Sequence, residues 1–260
     1  MANLRIGYLN RADAATLTAS PLLDATGQET ALQDDARSVC LATSTASQDI
    51  KGTWGGTAYT VSQLALWRHN LAYSDTIRLY LYSDVAWTTG VYDSTALAAY
   101  TTGLFTDWGW GFTNRYFTPV ASVKSFKITV AASAAAFTCA RLYLGPYTEA
   151  TINPNYGFVL TDENNAKQAR SEGGSLRSYP KADWRSANFD MLMLTEADRA
   201  AWREIGRYCG INKSLVASLF PGAGGTSERD FTICGKFGKS LTGKLSGFNR
   251  YDLSANILEL

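Results

Sequence analysis

His69 is the single histidine of the 260-residue chain, and it lies in Leu66-Trp67-Arg68-His69-Asn70 at the end of a predicted strand. A general base needs a reacting proton and usually a nucleophile within reach. No G-x-S-x-G elbow supplies one, so a hydrogen-bonded structural histidine is expected. No G-x-x-x-x-G-K-[ST] phosphate loop is present either. Gly235-Lys236-Phe237-Gly238-Lys239-Ser240 ends in Gly-Lys-Ser, but its first glycine stands at the wrong distance and no helix pattern follows, which predicts a hairpin. Asp84, Asp93 and Asp107 fall on loops, where a glycosidase-like acid pair or a calcium site could form. Isolated loop aspartates more commonly cap turns. The four cysteines, Cys40, Cys139, Cys209 and Cys234, are far apart and lack C-x-x-C spacing. They cannot assemble a sequence-local zinc site with one histidine; isolated buried thiols are expected, one long-range disulfide being the alternative. The chain is therefore expected to be no enzyme and to carry no cofactor or metal.

Binding is better represented than catalysis. Trp87, Tyr100, Phe105, Trp108, Trp110 and Phe112 cluster around glycine- or threonine-rich loops, and Trp108-Gly109-Trp110-Gly111-Phe112 puts aromatics at period two. If that face is outside, it offers a stacking platform for sugars or a hydrophobic contact for a neighbour; if inside, it is core. A second candidate is the stripe Arg199, Arg203 and Arg207, repeating every fourth position of a predicted helix. Such a stripe either meets an acidic partner or another subunit, or is a solvated face balanced by Glu196 and Glu204.

The elements that position these residues are mostly strands. Residues 1–150 hold five of the seven Trp and ten of the fourteen Tyr, and read as strands at Leu4 to Leu9, Val39 to Ala42, Thr60 to Trp67, Thr76 to Tyr82, Tyr116 to Pro119, Ser125 to Val130 and Cys139 to Leu144. About seven short strands separated by turns suggest a sandwich or jelly roll. In Ile77-Arg78-Leu79-Tyr80-Leu81-Tyr82 the alternation assigns Ile77, Leu79 and Leu81 to core and Arg78, Tyr80 and Tyr82 to a wet or contacted face. A boundary is placed after Gly145-Pro146, with Tyr147 to Tyr156 as a linker, giving domains 1–150 and 151–260. The second domain reads as strands at Gly157 to Thr161, Gly174 to Tyr179, Asn188 to Leu194, Leu215 to Phe220, Asp230 to Phe237 and Tyr251 to Leu258, forming a β-sandwich or barrel flanked by one helix. Pro221 to Gly225 reads as a flexible turn.

That helix has clear ends. Thr195-Glu196-Ala197-Asp198 resembles a capping box with the shorter acid, and Gly210 supplies the stop. Ala197, Ala201, Ile205 and Tyr208 are its predicted apolar stripe. The charged fraction of 18% is low for a globular chain, as in a subunit covered by neighbours. A net charge of +1 argues against a dedicated nucleic-acid binder. No run of about 20 apolar residues suggests a membrane span, and the N-terminus lacks an apolar leader, so synthesis in the cytoplasm is expected.

Leu194-Thr195-Glu196-Ala197-Asp198-Arg199, Trp202 to Gly210, Ser218-Leu219-Phe220-Pro221 and Gly235-Lys236-Phe237 resemble segments of tail proteins of long-tailed bacteriophages and prophages. Arg5 to Asn10, Leu66 to Leu71 and Arg141 to Pro146 resemble the galactose-binding-like jelly roll that accompanies them. The resemblance implies a distal tail or tail-tip protein located in the virion tail. Its second domain, similar to the tail-tube fold, would join a homo-oligomeric ring, a hexamer or trimer, that continues the channel through which DNA passes and meets the tail tube protein, tail hub and fibre proteins. The resemblance carries no catalytic residues. The alternative is a carbohydrate-binding adhesin that recognises host-surface glycans through its first domain.

Overall fold

The computed structural model describes residues 2–19, 32–33, 40–41, 47–99, 111–131, 136–155, 158–163, 166–172, 174–179, 184–223 and 225–260. The first half contributes β1 (Arg5–Gly7), β2 (Thr16–Ala19), β3 (Cys40–Leu41), β4 (Gln48–Thr53), β5 (Tyr59–His69), β6 (Thr76–Tyr82), β7 (Gly90–Asp93), β8 (Leu97–Ala98), β9 (Gly111–Val123), β10 (Ser125–Ala131), β11 (Thr138–Gly145) and β12 (Tyr147–Glu149). There follow β13 (Val159–Glu163), β14 (Lys167–Arg170), β15 (Leu176–Tyr179), β16 (Trp184–Leu194), α1 (Glu196–Cys209), β17 (Leu215–Ser218), α2 (Gly225–Asp230), β18 (Thr232–Phe237), β19 (Thr242–Gly247) and β20 (Arg250–Glu259). Two compact units result: residues 1–149 with 215–232, and residues 150–214 with 233–260. The segment 215–232 thus belongs with the first half of the chain.

The first unit is a β-sandwich. One antiparallel sheet runs β2-β4-β10-β6-β7, with β8 also on β6, and the other runs β3-β11-β5-β9. The chain crosses between them from β4 to β5, β5 to β6, β9 to β10 and β10 to β11, the alternation of a jelly roll. The alternating strands face one apolar core: Ile50, Leu79, Leu81, Phe126, Ile128 and Val130 from the first sheet, with Val61, Leu64, Leu66, Leu142 and Leu144 from the second. The 77–82 alternation holds, with Ile77, Leu79 and Leu81 buried and Arg78, Tyr80 and Tyr82 on the other face. Tyr147–Glu149, expected in a linker, is instead a strand paired with β1, which also pairs with β17. The Pro221-to-Gly225 turn runs into a second, short helix, α2.

The second unit is built on an antiparallel sheet in the order β18-β20-β16-β13, with β19 pairing the start of β20. α1 packs on β16 and β20, its Trp202 meeting Phe189 edge-on at 6.2 Å. Its buried positions are Asp198, Trp202, Ile205 and Cys209. This corrects the predicted stripe: Ala197, Ala201 and Tyr208 are exposed. Trp202 has far more apolar surface to remove from water than either alanine, so it sets which side faces the sheet. The capping box is present: the Thr195 hydroxyl accepts from the Asp198 amide and the Asp198 carboxylate accepts from the Thr195 amide. Asp198 is buried, which raises its pKa, but hydrogen bonds from Thr151 and Thr195 outweigh this and hold it below the usual carboxylate range. Thr195→Ala should destabilise the second unit by about 1 kcal/mol, read as a lower urea midpoint with unchanged slope.

Candidate functional site

The outward face of the β2-β4-β10-β6-β7 sheet gathers aromatic and charged side chains. Because β10 pairs with both β4 and β6, one row crosses the sheet as Lys51, Lys127, Tyr80 and Asp93, and the next as Asp49, Thr129 and Arg78. Each side chain sits one pleat away from a core residue, so burial of the inner face fixes which groups are outside. Tyr80 and Tyr82 stack with ring centroids 6.4 Å apart and planes 21° from parallel. The Arg78 guanidinium lies 4.6 Å and the Lys127 ammonium 4.5 Å from the Tyr80 ring centroid. Arg78 is also held by both oxygens of Asp93 at 2.9 and 2.5 Å, which keeps the Asp93 carboxyl below its ordinary range. Thr129 donates to Asp49 at 2.6 Å.

A loop folds a third aromatic onto this face. The Asp84 carboxylate accepts from the amides of Ala86, Thr88 and Thr89 and from the Thr88 hydroxyl; against desolvation, these donors hold it well below the usual carboxylate range. The Asp84 carbonyl accepts from Ser125 Oγ at 2.6 Å. Trp87 takes a φ of 57°, a conformation uncommon for a bulky side chain, and its Nε1 donates to the Phe126 carbonyl at 3.1 Å. Lys51 Nζ stands 5.9 Å from the Trp87 ring. Tyr80, Tyr82 and Trp87 are thus half-buried aromatics with fixed orientations among hydrogen-bonding charges.

The other sequence candidates distribute differently. Phe112 is 5% exposed and meets Trp67 edge-on at 4.7 Å, so it belongs to the interior and not to a binding platform. Trp108, Trp110, Tyr100, Phe105 and Asp107 lie outside the described residues. Asp84 and Asp93 are each engaged by the donors just given, Asp93 also accepting from the Thr95 amide. His69 is buried: its Nε2 meets Thr113 Oγ1 at 2.8 Å and its Nδ1 accepts from the Leu71 amide at 3.2 Å. Cys139, Cys209 and Cys234 are buried thiols, and burial pushes Cys209 up to about 11. In the second unit Arg199 is tied to Glu196 and lies 5.0 Å from the Tyr251 ring centroid; Arg203 and Arg207 are exposed. Lys51, Lys127 and Asp49 were not singled out from the sequence. Gln48–Thr53 alternates buried and half-buried positions, but Ile50 is its one apolar residue and Asp49 and Gly52 are poor strand formers, so its sequence carries no alternation that would point to Lys51 and Asp49.

No helix among the described residues is long and apolar enough to cross a membrane, and no group of three or more His, Cys, Asp or Glu residues among them could hold a metal. The sequence matches no protein-family model and no curated protein. Solved structures similar to part of the chain include carbohydrate-binding modules. Chitosan-binding module 1 of a Paenibacillus sp. IK-5 chitosanase/glucanase is 16% identical with a TM-score of 0.41, over 53% of this chain and 98% of the module. A fucose binding module of Streptococcus pneumoniae, SpX-3, is 11% identical with a TM-score of 0.40, over 54% of this chain and 98% of its own. CBM32-1 from a family 31 glycoside hydrolase of Clostridium perfringens is 17% identical with a TM-score of 0.40, over 54% and 99%. Against SpGH29, 13% identical with a TM-score of 0.40, the matched region is 54% of this chain and 28% of that one.

Proposed function

We propose that this is a non-catalytic glycan-binding protein whose first unit holds a saccharide on the outward face of β4, β10 and β6. The observation that carries the reading is the trio Tyr80, Tyr82 and Trp87, held in place and surrounded by Lys51, Lys127, Arg78 and Asp93. The C–H face of a pyranose is apolar and packs on an aromatic ring, while its hydroxyls both donate and accept, which suits neighbouring ammonium, guanidinium and carboxylate groups. Fixing the rings before binding lowers the ordering cost of association. The test is affinity electrophoresis and a glycan array with the full chain. A wild-type chain that retains a glycan, and a Trp87→Ala or Tyr80→Ala chain that binds it about tenfold or more weakly, is the expected result. Retention of no glycan by the folded wild-type chain would end the proposal.

A second reading, an assembly subunit of the kind that the resemblance to phage tail proteins implies, is favoured by the β14–β15 hairpin. All eight of its strand residues are exposed, including the apolar Leu176 and Tyr179. A two-stranded ribbon is marginally stable alone, so a neighbour that covers it would stabilise it. Light scattering and electron microscopy distinguish the readings: a closed ring supports an assembly subunit, and a monomer at high concentration counts against it.

A further inference from the structure

The second unit contains a groove of about 350 Å³ between α1 and the β19–β20 hairpin, lined by Arg199, Trp202 and Arg203 on one side and by Leu241, Leu245 and Tyr251 among the residues opposite. That volume lies in the range of ligand sites. Gly243 leaves the groove open on the hairpin side. Gly243 lines it and pairs with Leu253, so a side chain at 243 would point to the same face as Leu253, and a Cβ there meets nothing within 4 Å. Leu241 packs over Gly206 of α1 and lines the groove. Two of the lining side chains, Arg199 and Arg203, are cationic; Lys244 pairs with Asp252 and alternation turns it to the opposite face of the hairpin. Arg199 is already held by Glu196, whereas the described residues supply no acidic partner for Arg203.

We infer that this groove binds a carboxylate-bearing, aliphatic peptide segment of a partner protein. A guanidinium donates two parallel hydrogen bonds to a carboxylate, and the leucines beside it suit aliphatic side chains. The aromatic rings here do not offer stacking faces for sugars or bases: Trp202 is 4% exposed and the Arg199 guanidinium lies against Tyr251. A macromolecular occupant agrees with the apolar surface that continues past the groove, where Leu245 is 64% and Phe248, at the hairpin turn, 94% exposed. The inference is independent of the glycan face, which lies in the other unit.

The test uses the full chain and a fluorescein-labelled peptide, Leu-Glu-Leu-Glu-Leu-Glu-Leu, followed by anisotropy, with the glutamine version as control. Saturable binding by the wild type, at least tenfold weaker in Arg203→Gln, in Gly243→Leu and in the glutamine peptide, and weakened by raising salt, is expected. Gly243→Leu fills the groove without touching a charge, so it separates shape from long-range attraction. Absence of saturable binding, or equal binding of the glutamine peptide, overturns the inference. So does tighter binding of a heparin oligosaccharide or of single-stranded oligo-dT that displaces the peptide. Self-association abolished by Gly243→Leu would assign the groove to a second copy of the chain and equally overturn it.

Discussion

Lowering the pH from 6.5 towards 3 is expected to destabilise the first unit by on the order of 4 kcal/mol through His69 alone. Burial depresses the pKa of this imidazole to about 3, opposed only in part by the charge of Asp75. In the unfolded chain the ring takes a proton near 6.5. Between these values the unfolded state binds more protons, so stability rises with pH and its loss on acidification approaches about 1.4 kcal/mol per pH unit. The geometry explains the resistance. Nδ1 accepts from the Leu71 amide, which places the proton of the neutral ring on Nε2; that N–H donates to Thr113 Oγ1, and the Thr113 hydroxyl donates to the Ala99 carbonyl. A second proton has to land on Nδ1 and would break the bond from Leu71. Urea midpoints at pH 7, 5 and 4 should therefore fall more steeply for the wild type than for His69→Gln, in which the amide can both accept and donate. Since the chain has one histidine, its ring resonance can also be followed directly by NMR. Identical pH slopes, together with a ring that titrates near 6.5 in the folded protein, would refute the account. The site also constrains its neighbour: a Cβ at Gly111 would stand 2.5 Å from the His69 ring, closer than non-bonded carbon atoms approach.

Arg185→Met is expected to destabilise the second unit by about 3–5 kcal/mol, a large part of the stability of an ordinary domain. Arg185 and Glu259 are both buried, with Arg185 Nη2 3.1 Å from Glu259 Oε1, and Glu259 Oε2 also accepts from the Arg185 amide at 2.8 Å. Removing the guanidinium strands a carboxylate in the interior. The double change Arg185→Met with Glu259→Gln should recover most of the loss, because the glutamine side-chain carbonyl still accepts from the backbone amide of residue 185 while the charge is gone. Trp202 gives the change a local reporter, being packed in the same unit. If the single change costs less than 1 kcal/mol, the pair is solvated and the reasoning fails.

The two surfaces proposed for binding are legible in the sequence to different degrees. Tyr80, Tyr82 and Arg78 could be assigned outward from alternation alone, since Leu79 and Leu81 require the opposite face. Trp87 stood out by type, but its orientation depends on a loop built around Asp84 and on the Phe126 carbonyl, 39 residues away. Phe112 shows the limit of type-based inference: the same period-two aromatic pattern serves a platform or a core, and packing against Trp67 chose core. The groove was half visible. Arg199 and Arg203 were evident, but Gly243 and Leu241 belong to a hairpin that no alternation announced.

The sequence by itself determined what short-range chemistry can encode: the strand at Thr76–Tyr82 and its two faces, the start of α1 at the Thr195–Asp198 box, and its stop at Gly210. Only the tertiary structure decided that β10 lies between β4 and β6, placing Lys51 and Lys127 beside Tyr80, and that residues 215–232 join the first unit. It also turned the Trp202 side of α1, not Ala197 and Ala201, towards its sheet. Alternation and capping act over one to four residues, whereas these choices set registers and partners between segments tens of residues apart. They are selected by which combination buries the most apolar surface while pairing the backbone, a property of the whole chain and not of any window within it.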